Sequence, residues 1–157
     1  EHGFVAGLCC RDSRFIIAPG QQPRPVIVAG GQELPSGAAL WASDPIVLAP
    51  AGSTAQGNVV VAGTGDRVDL AAGLDELGAL GIVDLLVEGG ATLAASLLHD
   101  GLVDRAVFYL AAAVAGGTGK GVFEAAFATI TDLRPVTITG ITRVGPDLRL
   151  DIDFKER

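Results

Sequence analysis

The sequence predicts an α/β fold with a mixed, mostly parallel central sheet and a C-terminal antiparallel hairpin. Three observations support this prediction. Continuous apolar runs recur through the first half of the chain, as they do in strands buried on both faces of a parallel sheet. Leucine-rich segments with helical spacing lie between the later runs. The C-terminal part alternates apolar and polar residues, which is typical of antiparallel strands with one solvated face.

Apolar segments bounded by glycine or proline define the strands of the first half. They are short and rich in β-branched residues, so an extended conformation is predicted for each of them. The predicted strands are residues 3–10, 25–29, 46–49 and 59–62, with a short extended piece at 15–18.

Helices and strands alternate in the second half. Leucines recur at helical spacing from Leu70 to Leu80, and Gly81 is a signal for the C-terminal end of that helix. The remaining predicted elements are a strand at 82–87, a helix at 91–99, a strand at 106–113, and antiparallel strands at 136–139 and 148–154, with a turn at 145–147 before the last strand.

Composition and charge exclude several classes of function. The 157 residues are 49% hydrophobic, which is enough for a sizeable core. The net charge is −7 and no basic cluster occurs, so nucleic acid is not an expected partner. No apolar run is long enough to cross a bilayer, so no membrane partner is expected. The chain contains no Met, and we therefore expect a processed, trimmed or partly missing chain.

Cysteine and histidine usage predicts neither a disulfide nor a metal site. Cys9 and Cys10 are neighbours on a predicted strand and point to opposite faces, which disfavours an internal bridge. Only His2 and His99 could add metal ligands, which is too few for a typical site. Unpaired thiols are typical of a reducing compartment, so we expect a cytoplasmic protein.

The strongest local motif is Glu88-Gly89-Gly90, which lies between a predicted buried strand and a predicted helix. Glycines allow a ligand to approach the backbone closely, and the free N–H groups of a helix start can bind phosphate. A carboxylate at this position can accept hydrogen bonds from a ligand. The alternative interpretation is a plain tight turn with a solvated Glu88, because a lone Gly-Gly pair is a weak motif.

Other candidate motifs carry less information. The glycine-rich segment at 116–121 lacks the spacing of a phosphate loop, and no Gly-x-Ser-x-Gly nucleophile elbow occurs. Trp41 is interpreted as a packing or rim residue rather than a stacking platform. His99 is expected near the C-terminal end of its helix, where a histidine is favourable for the helix dipole.

Four motifs from residue 82 onward occur in an order that one family shares. They are Glu88-Gly89-Gly90 after an apolar run, Gly-Leu-Val-Asp at 101–104, two glycines at 116–117 followed by Phe123, and a hairpin-like segment at 143–150. This combination resembles the reductase domain of the bifunctional deaminase/reductase of riboflavin biosynthesis. The resemblance covers nearly all of the chain.

The resemblance implies a dihydrofolate-reductase-like, three-layer α/β fold and a homodimer. It also implies NADPH-dependent reduction of the ribosyl group of a 5-amino-6-(phosphoribosylamino)uracil, a small phosphorylated pyrimidine. Residues 1–157 would form a single domain that lacks the first strand and helix of the family. In the family that strand lies in the middle of the sheet. We therefore expect either residues upstream of Glu1 or another segment to fill its place.

The resemblance also assigns roles to individual residues. Glu88 is the implied catalytic residue through its contact with the substrate. A short segment near the N-terminus falls where the family binds its substrate, and the helix start falls where it binds the cofactor phosphates. The implied substrate-binding residues are Asp12, Arg14, Phe15 and Glu88, and the implied NADPH-binding residues are Gly89, Gly90, Ala91, Thr92, Leu93, Ala94, Ala95 and Ser96.

Three positions depart from the pattern of the family. Gly7, Arg11 and Ala18 stand where the family has a Thr, an acidic residue and a phosphate-binding Arg. Arg14 and Arg24 are the candidate replacements for that arginine. The departures keep two alternatives open, which are a non-catalytic paralogue and a reductase of the same fold that acts on another small heterocycle.

Overall fold

The computed structural model describes residues 5–6, 23–29, 35–114, 121–122 and 133–154. The chain divides into two compact units, Glu1–Leu93 and Ala94–Arg157. The predicted extended piece at 15–18 and most of the loop at 116–121 lie outside the described residues. In the part of the chain that is described, neither helix is long and apolar enough to cross a membrane.

The first unit holds a four-stranded sheet, called the first sheet below. Its strands are β1 (Val5–Ala6), β2 (Val26–Val28), β3 (Ile46–Ala49) and β4 (Asn58–Val61), in the order β1-β2-β3-β4. Strands β2, β3 and β4 pair in parallel, whereas β1 pairs antiparallel to β2. The strands predicted at 25–29, 46–49 and 59–62 are therefore confirmed within one residue at most ends.

Both faces of β2 and β3 are covered, which explains why these strands are apolar without alternation, whereas β4 is mostly exposed. Successive residues of β2 and β3 point to opposite faces, and each face forms its own cluster. One cluster consists of Val26, Ile46, Leu48 and Leu77, and the other consists of Ile27, Ala29, Val47 and Ala49, with Leu40, Trp41 and Ala55 packed against it.

Trp41 belongs to a short 3₁₀ helix, Ala39–Ser43, that the sequence did not predict. Its indole packs on the second of these clusters, and its Nε1–H donates a hydrogen bond to the Pro35 carbonyl at 2.8 Å. The expected packing role of Trp41 is therefore confirmed.

Helix α1 (Leu70–Ala79) follows β4 and covers one face of the first sheet. Leu77 is 2% exposed, and full burial of such a side chain contributes about 2 kcal/mol. A Cβ added at Gly73 would stand 3.0 Å from Leu48 Cδ1 and 3.4 Å from Ala62 Cβ, so glycine allows the close contact of this helix with β3 and β4. Gly81, at φ +86°, follows the helix as predicted.

The strand predicted at 82–87 does not form, and this prediction is wrong. Ile82 still packs against the core beside Leu77, but Val83 is 95% exposed and Leu86 is 55% exposed. An apolar run is a β-strand only where a neighbouring strand pairs with it, and no described strand pairs with this segment. The described residues consequently form two sheets rather than one central sheet.

The second unit holds a three-stranded antiparallel sheet, called the second sheet below. It contains β5 (Arg105–Leu110), β6 (Thr137–Val144) and β7 (Asp147–Asp153) in the order β5-β7-β6. Gly145, at φ +61°, and Pro146 form the two-residue turn between β6 and β7. The predicted antiparallel C-terminal hairpin is thus confirmed, and β6 is longer than predicted.

The register gives the second sheet one apolar and one polar face. Phe108 pairs with Leu150, which pairs with Ile141, on the face called the apolar face below. A bulge at Thr139 moves the alternation of β6 by one residue, so that Ile138 and Ile141 both reach the apolar face.

The opposite face of the second sheet is mainly polar, although Val107 and Val144 also lie on it. It carries Tyr109 beside Arg149, whose guanidinium donates to the Asp151 carboxylate at 2.6 Å. This hydrogen bond raises the pKa of Arg149 above its ordinary value, so the guanidinium stays charged at any working pH.

Candidate functional site

The residues that follow the C-terminal ends of β3 and β4 form what is called the carboxyl edge below. The Ala62 N–H donates to the Ala49 carbonyl at 2.8 Å, and the Ala51 N–H donates to the Gly63 carbonyl at 2.9 Å. These two bonds extend the parallel ladder beyond the strands and hold the loops after β3 and β4 together. Ligands of open α/β sheets favour such an edge.

Asp69 fixes the path of the chain from β4 into α1. Its N–H donates to the Ala62 carbonyl at 3.0 Å, while its carboxylate accepts the Ala72 N–H at 3.0 Å and caps the helix. Gly63, at φ +93°, allows this tight return, because an added Cβ would stand 2.9 Å from Asp69 Cβ. The loop at 63–67 is therefore held at both ends.

Glu88, Gly89 and Gly90 directly precede helix α2 (Ala91–His99), and this helix has the bounds that the sequence predicts. The predicted association of an acidic residue, two glycines and a helix start is therefore present. A helix start is a typical anion-binding position, because its first N–H groups point away from the helix body. Ala95 and Ser96 lie in the second turn, where helical N–H groups bond to carbonyls four residues earlier.

Gly89 leaves room for the Leu93 side chain of α2. A Cβ added at Gly89 would stand 3.0 Å from Leu93 Cδ2, so the Leu93 side chain folds back over this glycine. The space beside Gly89 is thus occupied by the protein itself.

Glu88 is exposed, although the sequence predicts it at the end of a buried strand. Within the described residues its carboxylate has no hydrogen-bond or ion-pair partner. An unengaged carboxylate is available to accept hydrogen bonds from a ligand.

Arg24 does not lie at the carboxyl edge. It precedes β2, and its guanidinium contacts Asp44, which precedes β3, with Nη2 2.9 Å from Oδ2 and Nε 3.1 Å from the carbonyl oxygen. The beginnings of parallel strands lie at the opposite edge from their C-terminal ends. The Arg24 guanidinium is therefore bound to Asp44 at the edge opposite the carboxyl edge, which disfavours it as the phosphate-binding arginine.

The remaining predicted site residues lie outside the described part of the chain. They are Asp12, Arg14 and Phe15, and the departures at Gly7, Arg11 and Ala18 lie there as well. Of the predicted site, the structure brings together the segment from Glu88 to Ser96.

The sequence motifs do not single out Arg67, an exposed arginine of the loop at 63–67. A lone arginine in a loop matches no motif. Its position between the end of an apolar strand and the helix cap Asp69 is the feature of the sequence that places it at the carboxyl edge.

His99 is the last residue of α2, as expected, and lies near the C-terminal carbonyls of that helix. Its Nδ1 is 2.9 Å from Asp100 Oδ1, and its carbonyl accepts a hydrogen bond from Arg134 at 2.7 Å. These contacts are typical of a helix end and indicate no nucleophilic site.

Comparison with protein families gives a match over most of the chain. The family model described as the RibD C-terminal domain matches residues 7–150, which include parts of both units.

Two curated relatives are similar over about half of the chain. The riboflavin biosynthesis protein RibD of Bacillus amyloliquefaciens is 34% identical over 92 residues, which is 54% of this chain and 24% of that protein. The 2,5-diamino-6-ribosylamino-4(3H)-pyrimidinone 5′-phosphate reductase of Methanothermobacter thermautotrophicus is 42% identical over 83 residues, which is 48% of this chain and 38% of that protein. The matched parts are thus well under half of each relative.

Among solved structures, RibD of Acinetobacter baumannii (form 1) superimposes with a TM-score of 0.70. The match covers 86% of this chain and 38% of that chain, at 23% sequence identity. This likeness concerns the fold alone, and it confirms the predicted dihydrofolate-reductase-like α/β class.

Proposed function

The chain belongs to the RibD C-terminal domain family, and on that premise we propose that it is a pyrimidine reductase of riboflavin biosynthesis. The observation that carries the proposal is the family match over residues 7–150, which includes the segment from Glu88 to helix α2. The match covers most of both units, so we propose that residues 1–157 act as one reductase-like domain without the first strand and helix of the family.

The proposed substrate is a phosphorylated ribosylaminopyrimidine. The name of the Methanothermobacter relative specifies a 2,5-diamino-pyrimidinone phosphate, whereas the family resemblance implies the deaminated 5-amino-6-(phosphoribosylamino)uracil. We propose the uracil compound. The exposed Glu88 carboxylate would contact this substrate, and Asp12, Arg14 and Phe15 remain proposed substrate contacts.

The proposed cofactor is NADPH, which supplies a hydride when it is bound. The described residues fit such a group, because backbone N–H groups at the start of a helix such as α2 are typical donors to a pyrophosphate. The proposed contacts are Gly89, through its backbone, and Gly90, Ala91, Thr92, Leu93 and Ala94. Ala95 and Ser96 would take part only through their side chains, because their N–H groups belong to the helix.

We also propose a homodimer. The apolar face of the second sheet exposes four large side chains, which are Leu110, Ile138, Ile141 and Leu148, at 41–65% of their surface. An exposed apolar patch of this kind is typical of an interface between subunits. Phe108 lies on this face, whereas Tyr109 lies on the polar face, so the interface would involve Phe108 and not Tyr109. The cytoplasm is the proposed compartment, on the argument from Cys9 and Cys10.

The experiment that tests this function compares two substrates. The chain is incubated with NADPH and either the uracil compound or its 2,5-diamino-pyrimidinone counterpart, and products are identified by mass spectrometry. A product two mass units heavier than the uracil compound supports the proposal. Reduction of the diamino compound alone would mean that this compound, and not the uracil compound, is the substrate.

The departures at Gly7, Arg11 and Ala18 favour a second candidate, a non-catalytic paralogue. This candidate predicts that NADPH binds and that neither substrate is reduced. Reduction of an unrelated heterocycle instead would favour the third candidate, a reductase of the same fold with another substrate.

A further inference from the structure

We infer that Arg67 is the specificity-determining residue that holds the 2′-phosphate of NADPH and so selects NADPH over NADH. This inference rests on the proposed function, because it assumes that a dinucleotide binds to the first unit. It adds a residue that neither the motifs nor the family resemblance supplied.

The charge distribution of the first unit restricts the choice of residue. Across residues 5–6, 23–29 and 35–93, the cationic side chains are Arg24 and Arg67, and seven side chains are acidic. A 2′-phosphate carries close to two negative charges at neutral pH, and it needs a cation in such surroundings. One of these two arginines must therefore supply the positive charge if described residues of the first unit hold the phosphate.

Arg24 is excluded by its partner and by its place. Asp44 accepts two hydrogen bonds from it, at 2.9 and 3.1 Å, at the edge of the sheet where β2 and β3 begin. A phosphate bound there would lie across the sheet from the carboxyl edge, and it would compete with the Asp44 carboxylate.

Arg67 differs from Arg24 both in its place and in its partners. It is exposed at the carboxyl edge, and no hydrogen bond or ion pair links it to another described residue, including its neighbour Asp66. The loop that carries it is held by the Ala51–Gly63 bond and by the Asp69 cap. A cation on an anchored loop loses less conformational freedom on binding than a cation on a free loop.

Hydroxyl groups on the two loops that the Ala51–Gly63 bond joins would add donors to such a phosphate site. Thr64 belongs to the same loop, and Ser53 and Thr54 follow Ala51 in the loop that is bonded to Gly63. All three are exposed. The Ser53 hydroxyl accepts the Ala55 N–H at 3.1 Å, which leaves its own hydrogen free to donate. A guanidinium with several hydroxyl donors is a typical arrangement for a phosphate monoester.

The test measures nucleotide affinity rather than turnover. The chain is titrated with NADPH, NADH, 2′,5′-ADP and 5′-AMP, together with the variants Arg67→Gln, Arg67→Lys and Arg24→Gln. We expect the unaltered chain to bind NADPH about tenfold or more tightly than NADH. Arg67→Gln should reduce the affinity for NADPH to that for NADH, and the affinity for 2′,5′-ADP to that for 5′-AMP. The affinity for NADH should not change. Arg67→Lys should restore part of the preference, and Arg24→Gln should retain it.

Each adverse outcome has a distinct meaning. If Arg67→Gln binds NADPH as tightly as the unaltered chain, the role of Arg67 is wrong and the proposed cofactor stands. Equal affinity of the unaltered chain for NADPH and NADH would show that the chain does not select NADPH, and the inference on Arg67 would be wrong. Binding of neither dinucleotide overturns both this inference and the cofactor of the proposed function. Thermal unfolding of the variants checks that an affinity change does not arise from misfolding.

Discussion

Leu93 of helix α2 lies over Gly89, so that a Cβ added at Gly89 would stand 3.0 Å from Leu93 Cδ2. This contact joins the glycine turn to the first turn of the helix, where the cofactor phosphates are proposed to bind. Glycine at position 89 is therefore explained by packing, whereas glycine at position 90 is proposed to serve the ligand.

The first prediction concerns that contact. Gly89→Ala should destabilise the fold by about 1 kcal/mol, because Leu93 must leave its preferred rotamer to admit the new methyl group. The double variant Gly89→Ala with Leu93→Ala should recover that cost relative to Leu93→Ala alone. Urea unfolding of all four proteins measures the coupling, and a coupling energy near zero would show that the two residues do not interact.

Gly90 should behave differently from other glycines. Gly90→Val should weaken NADPH binding by about tenfold or more, since its side chain would obstruct the approach of a phosphate to the helix start. Gly78→Val is the matched control, because a Cβ at Gly78 meets nothing within 4 Å. Unchanged affinity in a folded Gly90→Val variant would remove the helix start from the site.

Glu88 is proposed to act on the substrate rather than on the cofactor. Glu88→Gln keeps the shape of the side chain and removes its charge, so we expect a large loss of turnover with NADPH affinity nearly unchanged. Asp84→Gln is a suitable control, as Asp84 is an exposed acidic residue of the same segment. An equal loss of turnover and affinity in Glu88→Gln would mean that this residue only supports the turn.

The proposed dimer can be tested with two neighbouring residues of β6. Ile141 lies on the apolar face and is 65% exposed, whereas Thr142 lies on the polar face. Ile141→Lys should convert the dimer to the 15.9 kDa monomer in sedimentation at micromolar concentration, and Thr142→Lys should not. A monomer for the unaltered chain would contradict the dimer itself.

Much of the first sheet could be predicted because a strand that is buried on both faces is apolar at nearly every position. Strands β2 and β3 are apolar throughout, and the leucines of α1 recur at helical spacing up to Gly81. Helix α2 was predicted from the glycines before it and the leucines within it. Its bounds agree with the structure.

The failures have physical causes. Residues 82–87 are apolar enough for a buried strand. Composition indicates that a segment favours burial, but it does not indicate whether a neighbouring strand is present to pair with it. The bulge at Thr139 changes the phase of alternation within β6, so a strict period of two stops there and the strand is predicted too short. Arg67 carries no motif, and only the path of the chain shows that it lies at the carboxyl edge without a partner.

We propose that this chain transfers a hydride from NADPH to a phosphorylated ribosylaminopyrimidine. This transfer is measured with NADPH that carries deuterium at both positions of the nicotinamide C4, with analysis of the product by mass spectrometry. We expect a reduced pyrimidine product that carries one deuterium on the carbon that was C1′ of the ribosyl group. Bound NADPH with no labelled product, at enzyme concentrations comparable to those of the substrate, would contradict this transfer.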